Sequence, residues 1–313
     1  MSTPTSRPQP SSTSASSPVA RPAVPAAADT GCAPASGCCG PAPVLGAGED
    51  PRALVRARYG AVAQGKVGAA GCCNGPQDAE AVLAKVGYDD LDKALLPEGA
   101  NLGLGCGNPV AFAEIRPGDT VLDLGSGGDI DCFLAARRTG PTGRVIGVDM
   151  TPERVERARA LAAREGLRHV QFRLGEIEAL PVANGSVDVV ISNCVVNLSP
   201  DKAQVFREAA RVLKPGGRLM LSDIVLARPL PPGAADDPEL YAGCIGGALL
   251  RDDYLRLVRE AGFEAVEVLG EAPYMVGCDG YAEGSMGRAA FEAVVSIHVR
   301  AVRGAACCPP GCC

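Results

Sequence analysis

Residues 120–138 read TVLDLGSGGDIDCFLAARR. The first seven, TVLDLGS, are a short apolar run opening into glycines, which predicts a buried strand. IDCFLAARR, 130–138, predicts an amphipathic helix. Outward from it, RVIGVDM at 144–150 is a second strand. TPERVERARALAAREG at 151–166 is a helix with Thr151 as N-cap, then Pro152 and Glu153 in the first turn. VQFRLGEI (170–177), VDVVISNC (187–194) and RLMLSDIV (218–225) continue as strands; KAQVFREAARVL (202–213) is a helix followed by the turn KPGG, 214–217. Strands alternating with helices imply a mostly parallel sheet covered on both faces. Further on, RDDYLRLVREAGF (251–263) predicts a helix. EAVEVLG (264–270) and AAFEAVVSIHVRAV (289–302) predict antiparallel edge strands, bringing the sheet to seven.

The strand–glycine–helix unit binds a nucleotide-like cofactor at its turn. Asp123, directly before the glycines, would repel a pyrophosphate and favour a ligand carrying an ammonium group. Gly125, Ser126 and Gly127 let backbone amides approach such a ligand closely. Asp149, ending the second strand, is placed to accept from both ribose hydroxyls, and Glu176 and Ile177 to border the base. S-adenosylmethionine fits this combination better than NAD.

The chain has 313 residues, net charge -6 and a pI near 5.1, which gives no electrostatic footprint for nucleic acid. No apolar run approaches a membrane span, and the N-terminus has no continuous apolar leader core, so a reducing cytoplasm is expected. Residues 1–48, rich in Ser, Pro and Ala, read as a disordered tail, and 304–313 as a Cys-rich tail. Between them, 49–226 read as N-terminal loop elements plus the cofactor-binding domain, and 227–303 as a substrate-binding region with a small α+β character. A monomer is expected.

Fourteen cysteines stand against two histidines. Four pairs are adjacent, at 38–39, 72–73, 307–308 and 312–313, and neighbours make poor crosslinks. In a reducing compartment these thiols are free for a soft ligand. Cys194 follows the strand end that faces the cofactor, with Asn193 and Asn197 as a polar rim. Cys244 lies among glycines in YAGCIGGALL, and Cys72 and Cys73 in GKVGAAGCCNGP. Three loops thus offer thiols to one cleft. Zinc would need a fourth ligand and favours CxxC spacing, absent among these central cysteines. Trivalent arsenic makes three bonds to sulfur and keeps a lone pair, a nucleophile that carries no proton. Scarcity of histidine bases is then no obstacle.

The stretch 118–225 resembles the class I S-adenosylmethionine-dependent methyltransferases, a Rossmann-like α/β fold. More narrowly, the sequence resembles the bacterial arsenite S-adenosylmethionine methyltransferases. The runs that carry this are YG (59–60), PEGANLGLGCGNP (97–109), VLDLGSGG (121–128), VIGVDMTPE (146–153), ISNCVVNLSPDK (191–202), RVLKPGGRL (211–219) and CIGGAL (244–249). The resemblance implies that Cys194 and Cys244 bind trivalent arsenic directly, with Cys72 or Cys73 as the third thiol and Cys38 or Cys39 in an auxiliary role. Tyr59, Met150 and Asn193 complete the candidate cofactor set. GGDID at 127–131 departs from the family's glycine-rich ending at Asp129. Cys106, in LGCGNP, is assigned to shaping the cofactor site, and Cys132 to packing. The resemblance further implies arsenite or its glutathione adduct as substrate, and regeneration by a thiol reductant such as glutathione or thioredoxin. Two other readings share the cofactor motifs. One is a carbon methyltransferase of a quinone-like substrate, independent of Cys194 and Cys244. The other is a non-catalytic arsenic-sequestering protein.

Overall fold

The computed structural model describes residues 50–66, 79–127 and 130–304. The sheet consists of β1 (Thr120–Leu124), β2 (Arg144–Asp149), β3 (Val170–Leu174), β4 (Val187–Asn193), β5 (Leu213–Leu226), β6 (Phe263–Pro273) and β7 (Val294–Arg303). Their spatial order is β3-β2-β1-β4-β5-β7-β6. The first five pair in parallel, while β7 runs antiparallel to both β5 and β6. The sequence pattern predicts an edge position for both C-terminal strands. Only β6 is at an edge. β7 is inserted between β5 and β6, and its residues Ile297, Val299 and Ala301 are buried accordingly. Two further differences are local. KPGG is not a turn between elements but an excursion inside β5, whose pairing jumps from Val187↔Leu213 to Val189↔Arg218. Residues 289–291, read as strand, close a short helix instead, because Ser285 accepts from the Arg288 N–H and caps it.

The helices among the described residues are α1 (Pro51–Ala63), α2 (Ala79–Lys85), α3 (Asp90–Ala94), α4 (Pro109–Phe112), α5 (Ile130–Thr139), α6 (Pro152–Arg164), α7 (Lys202–Val212), α8 (Pro238–Ala242), α9 (Arg251–Glu260) and α10 (Met286–Phe291). Side chains alternate across each strand, so the sheet has two apolar faces. Leu122, Leu124 and Val190 pack with Phe206 of α7 and Tyr254 of α9. Val121, Val189 and Ile191 pack with Phe133 of α5 and Ala158 of α6. Thr151 takes the N-cap position of α6, but its side chain makes no capping bond; its N–H donates instead to Asp149 at 2.8 Å. None of the described helices is long and apolar enough to cross a membrane.

This order reverses direction between β1 and β4. The carboxyl ends of β1, β2 and β4 therefore open a crevice there, the place where open α/β sheets bind ligands. A third apolar cluster roofs that crevice. It joins Val55 of α1 to Leu198, Leu240, Cys244 and Ile245, with Tyr59, Met150 and Cys194 packed against it.

Candidate active site

The turn after β1 forms the floor of the crevice. Gly125 and Gly127 both have left-handed backbone, φ 65° and 54°. A Cβ on Gly125 would stand 2.2 Å from Val195 Cγ2, and one on Gly127 would fall on the Arg154 guanidinium. Only glycine satisfies both the conformation and the space. Asp149 ties the turn down: its Oδ2 accepts from the Gly127 N–H at 3.0 Å and its Oδ1 from the Thr151 N–H.

Three lobes of the crevice meet at this turn. The first runs along β2, bordered by Tyr59, Asp149, Met150, Gly175 and Ile177. The second lies over β1 and α5, bordered by Tyr88, Asp123, Ser126, Asp131 and Asn193. The third lies over β4, bordered by Tyr59, Asn193, Cys194 and Cys244. Gly125 and Arg154 border all three.

The second lobe is strongly acidic. Asp123 is 2% exposed and accepts from the Cys132 thiol at 3.4 Å. Burial, and then the neighbouring Asp131 carboxyl, push it well above the ordinary carboxyl range. Asp131 accepts from the Tyr88 hydroxyl at 2.7 Å and from Asn193 Nδ2 at 3.0 Å. Those bonds partly counter the burial that holds it at about 6. A cationic group entering the lobe would restore both carboxylates to the charged form.

The third lobe carries the thiols. Among the described residues, Cys194 and Cys244 are the cysteines of four non-glycine residues with positive φ, at 57° and 66°. Such backbone costs about 1–2 kcal/mol per residue and gathers at functional sites. Both are held there by hydrogen bonds: Cys194 N–H to Ser222 O at 2.8 Å, and Cys244 N–H to Tyr241 O at 3.0 Å. The Cys244 thiol donates to the Cys194 carbonyl at 2.9 Å. Tyr59 reaches across from α1, its hydroxyl bonding Ala242 O at 3.0 Å, and so fixes the Cys244 loop to the crevice. Cys106 joins the group: its sulfur, that of Cys194 and an Asp223 oxygen lie within 4.8 Å of one another.

Burial holds all three thiols protonated. Cys106 is raised to about 11. Cys194 is raised well above its ordinary value by burial and by the Cys106 thiol; Cys244 is raised by its contact with Cys194 and by burial. Asp223, beneath them, is 1% exposed and burial raises it to about 7, although Ile224 N–H, Tyr254 OH and Asn197 Nδ2 all donate to it.

The predicted residues thus divide. Asp123, Gly125, Ser126, Asp149, Met150, Ile177, Asn193, Tyr59, Cys194 and Cys244 converge on the crevice, with Gly127 bonded to Asp149 at its floor. Glu176 is turned instead to α1, in ion pairs with Arg52 at 2.6 Å and Arg56 at 3.1 Å. Asn197 is not a rim residue; it is fully buried and donates to Asp223 and to Ile224 O. Cys132 is buried in the core, as expected for packing. Cys72 and Cys73, with the cysteines of both tails and Asp129, lie outside the described residues. Sequence reasoning missed Tyr88, Asp131, Arg154 and Asp223. For Arg154 a signal existed: a cation in the first turn of a helix opposes the helix dipole. For Asp223 it was a carboxylate inside an otherwise apolar strand.

The glycine cradle, the acidic lobe and the lobe along β2 that Asp149 borders fit a zwitterionic adenosyl ligand by shape and charge. Residues 115–262 match the family model of a methyltransferase domain. The chain is 51% identical over 231 residues to the arsenite methyltransferase of Halobacterium salinarum, covering 70% of this chain and 59% of that protein. It is 43% identical over 202 residues to that of Aquipseudomonas alcaligenes, covering 62% and 58%. The match therefore spans less than two thirds of either curated relative. The crystal structure of an arsenic(III) S-adenosylmethionine methyltransferase from Chlamydomonas reinhardtii superposes with a TM-score of 0.55 at 35% identity, over 75% of each chain. The chain belongs to the arsenic(III) S-adenosylmethionine methyltransferase family.

Proposed function

We propose that this protein transfers methyl groups from S-adenosylmethionine to trivalent arsenic held on its own thiols. The observation that carries the reading is the pairing of Cys194 and Cys244. They come from separate loops, both hold left-handed backbone, and both border the lobe that adjoins the glycine turn.

Buried, protonated thiols suit neutral arsenous acid. Each sulfur–arsenic bond formed passes one thiol proton to one arsenic hydroxyl, which leaves as water. Charge is conserved at every exchange and no side-chain base is required. Cys194 and Cys244 supply two sulfurs, and Cys72 or Cys73 the third. When bound, S-adenosylmethionine supplies an electrophilic methyl group on a positively charged sulfur. Asp149 and Tyr59 hold its adenosyl side, and Asp123 faces its ammonium. The trithiolate restrains arsenic so that its lone pair, the nucleophile, meets that methyl group at close range, which makes the encounter intramolecular.

Methylation formally raises arsenic to the pentavalent state. Two protein thiols give up two electrons as a disulfide and return it to the trivalent state. A thiol reductant such as glutathione or thioredoxin then restores them by exchange, which requires a reducing compartment. The cysteine pairs of the two tails are placed in this reading as capture or relay thiols.

The test is Cys194→Ser and Cys244→Ser, each with arsenic speciation by chromatography and titration of S-adenosylhomocysteine. A hydroxyl cannot replace sulfur toward a soft centre. Methylated arsenic should therefore vanish while ligand binding persists. Near-normal arsenite methylation by either variant would defeat the trithiolate mechanism and favour a carbon methyltransferase.

A further inference from the structure

Arg154 is the third residue of α6, where a cation faces the positive end of the helix dipole. It is nevertheless drawn inward, with its side chain only 11% exposed. Its guanidinium lies over the Tyr59 ring, 5.0 Å from the centroid, and rests against Gly127, in the space a Cβ would need there. Nη1 is 3.4 Å from Asp149 Oδ2, an oxygen already bonded to the Gly127 N–H. Nε is buried without a hydrogen-bond partner. A guanidinium carries five donors in a fixed fork, and leaving one buried and unmet is costly. The favourable local contacts, one long ion pair and one aromatic face, do not account for the desolvation of this charge.

The position of the group supplies the missing acceptor. Arg154 borders the acidic lobe, and among the described residues bordering it is the one cation, set against the carboxyls of Asp123 and Asp131. One guanidinium and two carboxyls on one small lobe match the charges of an α-amino-acid head, carboxylate and ammonium. A phosphate would meet both acids and is disfavoured. We propose that Arg154 binds the carboxylate of the cofactor's methionyl end through its fork, while Asp131 joins Asp123 in receiving the ammonium. The assignment rests on the S-adenosylmethionine reading above. It makes Arg154 a residue that selects for an intact amino-acid head. Because it also borders the thiol lobe, it ties recognition of that head to the lobe holding arsenic.

The experiment compares S-adenosylhomocysteine with its decarboxylated analogue, S-adenosyl-3-thiopropylamine, by calorimetry on the full reduced chain. The parent should prefer the carboxylated ligand by about tenfold to a hundredfold, as expected for a charged hydrogen-bonded pair. Arg154→Met should weaken S-adenosylhomocysteine by that factor, leave the analogue within about twofold, and so abolish the preference. Arg154→Lys should keep an intermediate preference, because an ammonium retains charge but not the fork. Equal weakening of both ligands in Arg154→Met would make the residue a prop for Asp149 and Tyr59, and overturn the proposal. So would a parent that binds the two ligands equally, a result that stands even if Arg154→Met does not fold. A parent that binds neither ligand would instead refute the cofactor reading itself.

Discussion

Gly125→Ala is the sharpest structural perturbation of this site, and its effect can be separated into parts. Gly125 has φ 65°, and a Cβ there would stand 2.2 Å from Val195 Cγ2 and 2.8 Å from Val195 Cβ. Left-handed backbone costs an alanine about 1–2 kcal/mol. Displacing a packed valine adds about 1–3 kcal/mol. The sum, about 2–5 kcal/mol, is a large share of a typical stability of about 5–15 kcal/mol. Gly140 provides the control: its φ is 66° and nothing lies within 4 Å of its Cβ position, so Gly140→Ala isolates the backbone cost. Urea denaturation of both variants should place Gly125→Ala about 1–3 kcal/mol below Gly140→Ala. Val195 is the chain neighbour of Cys194, so the displacement reaches the thiol lobe as well. Titration should show Gly125→Ala binding S-adenosylhomocysteine at least about tenfold more weakly, with Gly140→Ala unchanged. Equal stabilities, together with parental affinity in Gly125→Ala, would refute the cradle geometry.

Other outcomes follow from the same geometry. Asp149→Ala removes the acceptor for Gly127 N–H and Thr151 N–H and the candidate ribose contact, so S-adenosylhomocysteine affinity should fall by about 1.5–3 kcal/mol in calorimetric titration; unchanged affinity in a folded variant would count against it. At Cys194 and Cys244, glycine variants should be about 1 kcal/mol more stable than alanine variants, because glycine relieves the positive φ; chemical denaturation decides, and alanine being the better replacement at both would contradict the strain. Asp223, buried and held at about 7, binds its proton more tightly in the folded than in the unfolded chain. Its cost is therefore absent below about pH 4, grows with pH and is complete above about pH 7. The stability of Asp223→Asn relative to the parent should rise across that window, by on the order of 4 kcal/mol at most, and a pH-independent difference would refute the shift. Arsenite binding should exchange no net protons, so its heat should not depend on the ionisation enthalpy of the buffer; marked buffer dependence would mean the resting thiols are ionised.

The order of elements was legible in the sequence because it rests on short-range physics. Apolar runs ending in glycine, followed by a 3.6-residue periodicity, mark strand–turn–helix units without reference to distant residues. The resulting crossover rules place the ends of β1, β2 and β4 at one crevice. Hence Asp123, Gly125, Asp149 and Cys194 could be assigned to it from their positions at those strand ends. The glycine flanks of Cys244 likewise marked it as a thiol free to approach a partner. Where side chains point beyond the strand ends was not legible. Glu176 and Ile177 are adjacent, yet Ile177 borders the crevice while Glu176 answers to Arg52 and Arg56, more than a hundred residues earlier in the chain. The insertion of β7 between β5 and β6 was also decided at the tertiary level, because a strand's own residue pattern does not specify which distant strand lies on each of its edges. The grouping of Cys106 with Cys194 over Asp223, and the inward turn of Arg154, arise from packing between elements remote in sequence. A local pattern cannot encode a contact whose two partners are brought together only by the folded sheet. Burial then gives those contacts their chemistry, since it sets the protonation of Cys194, Cys244 and Asp223.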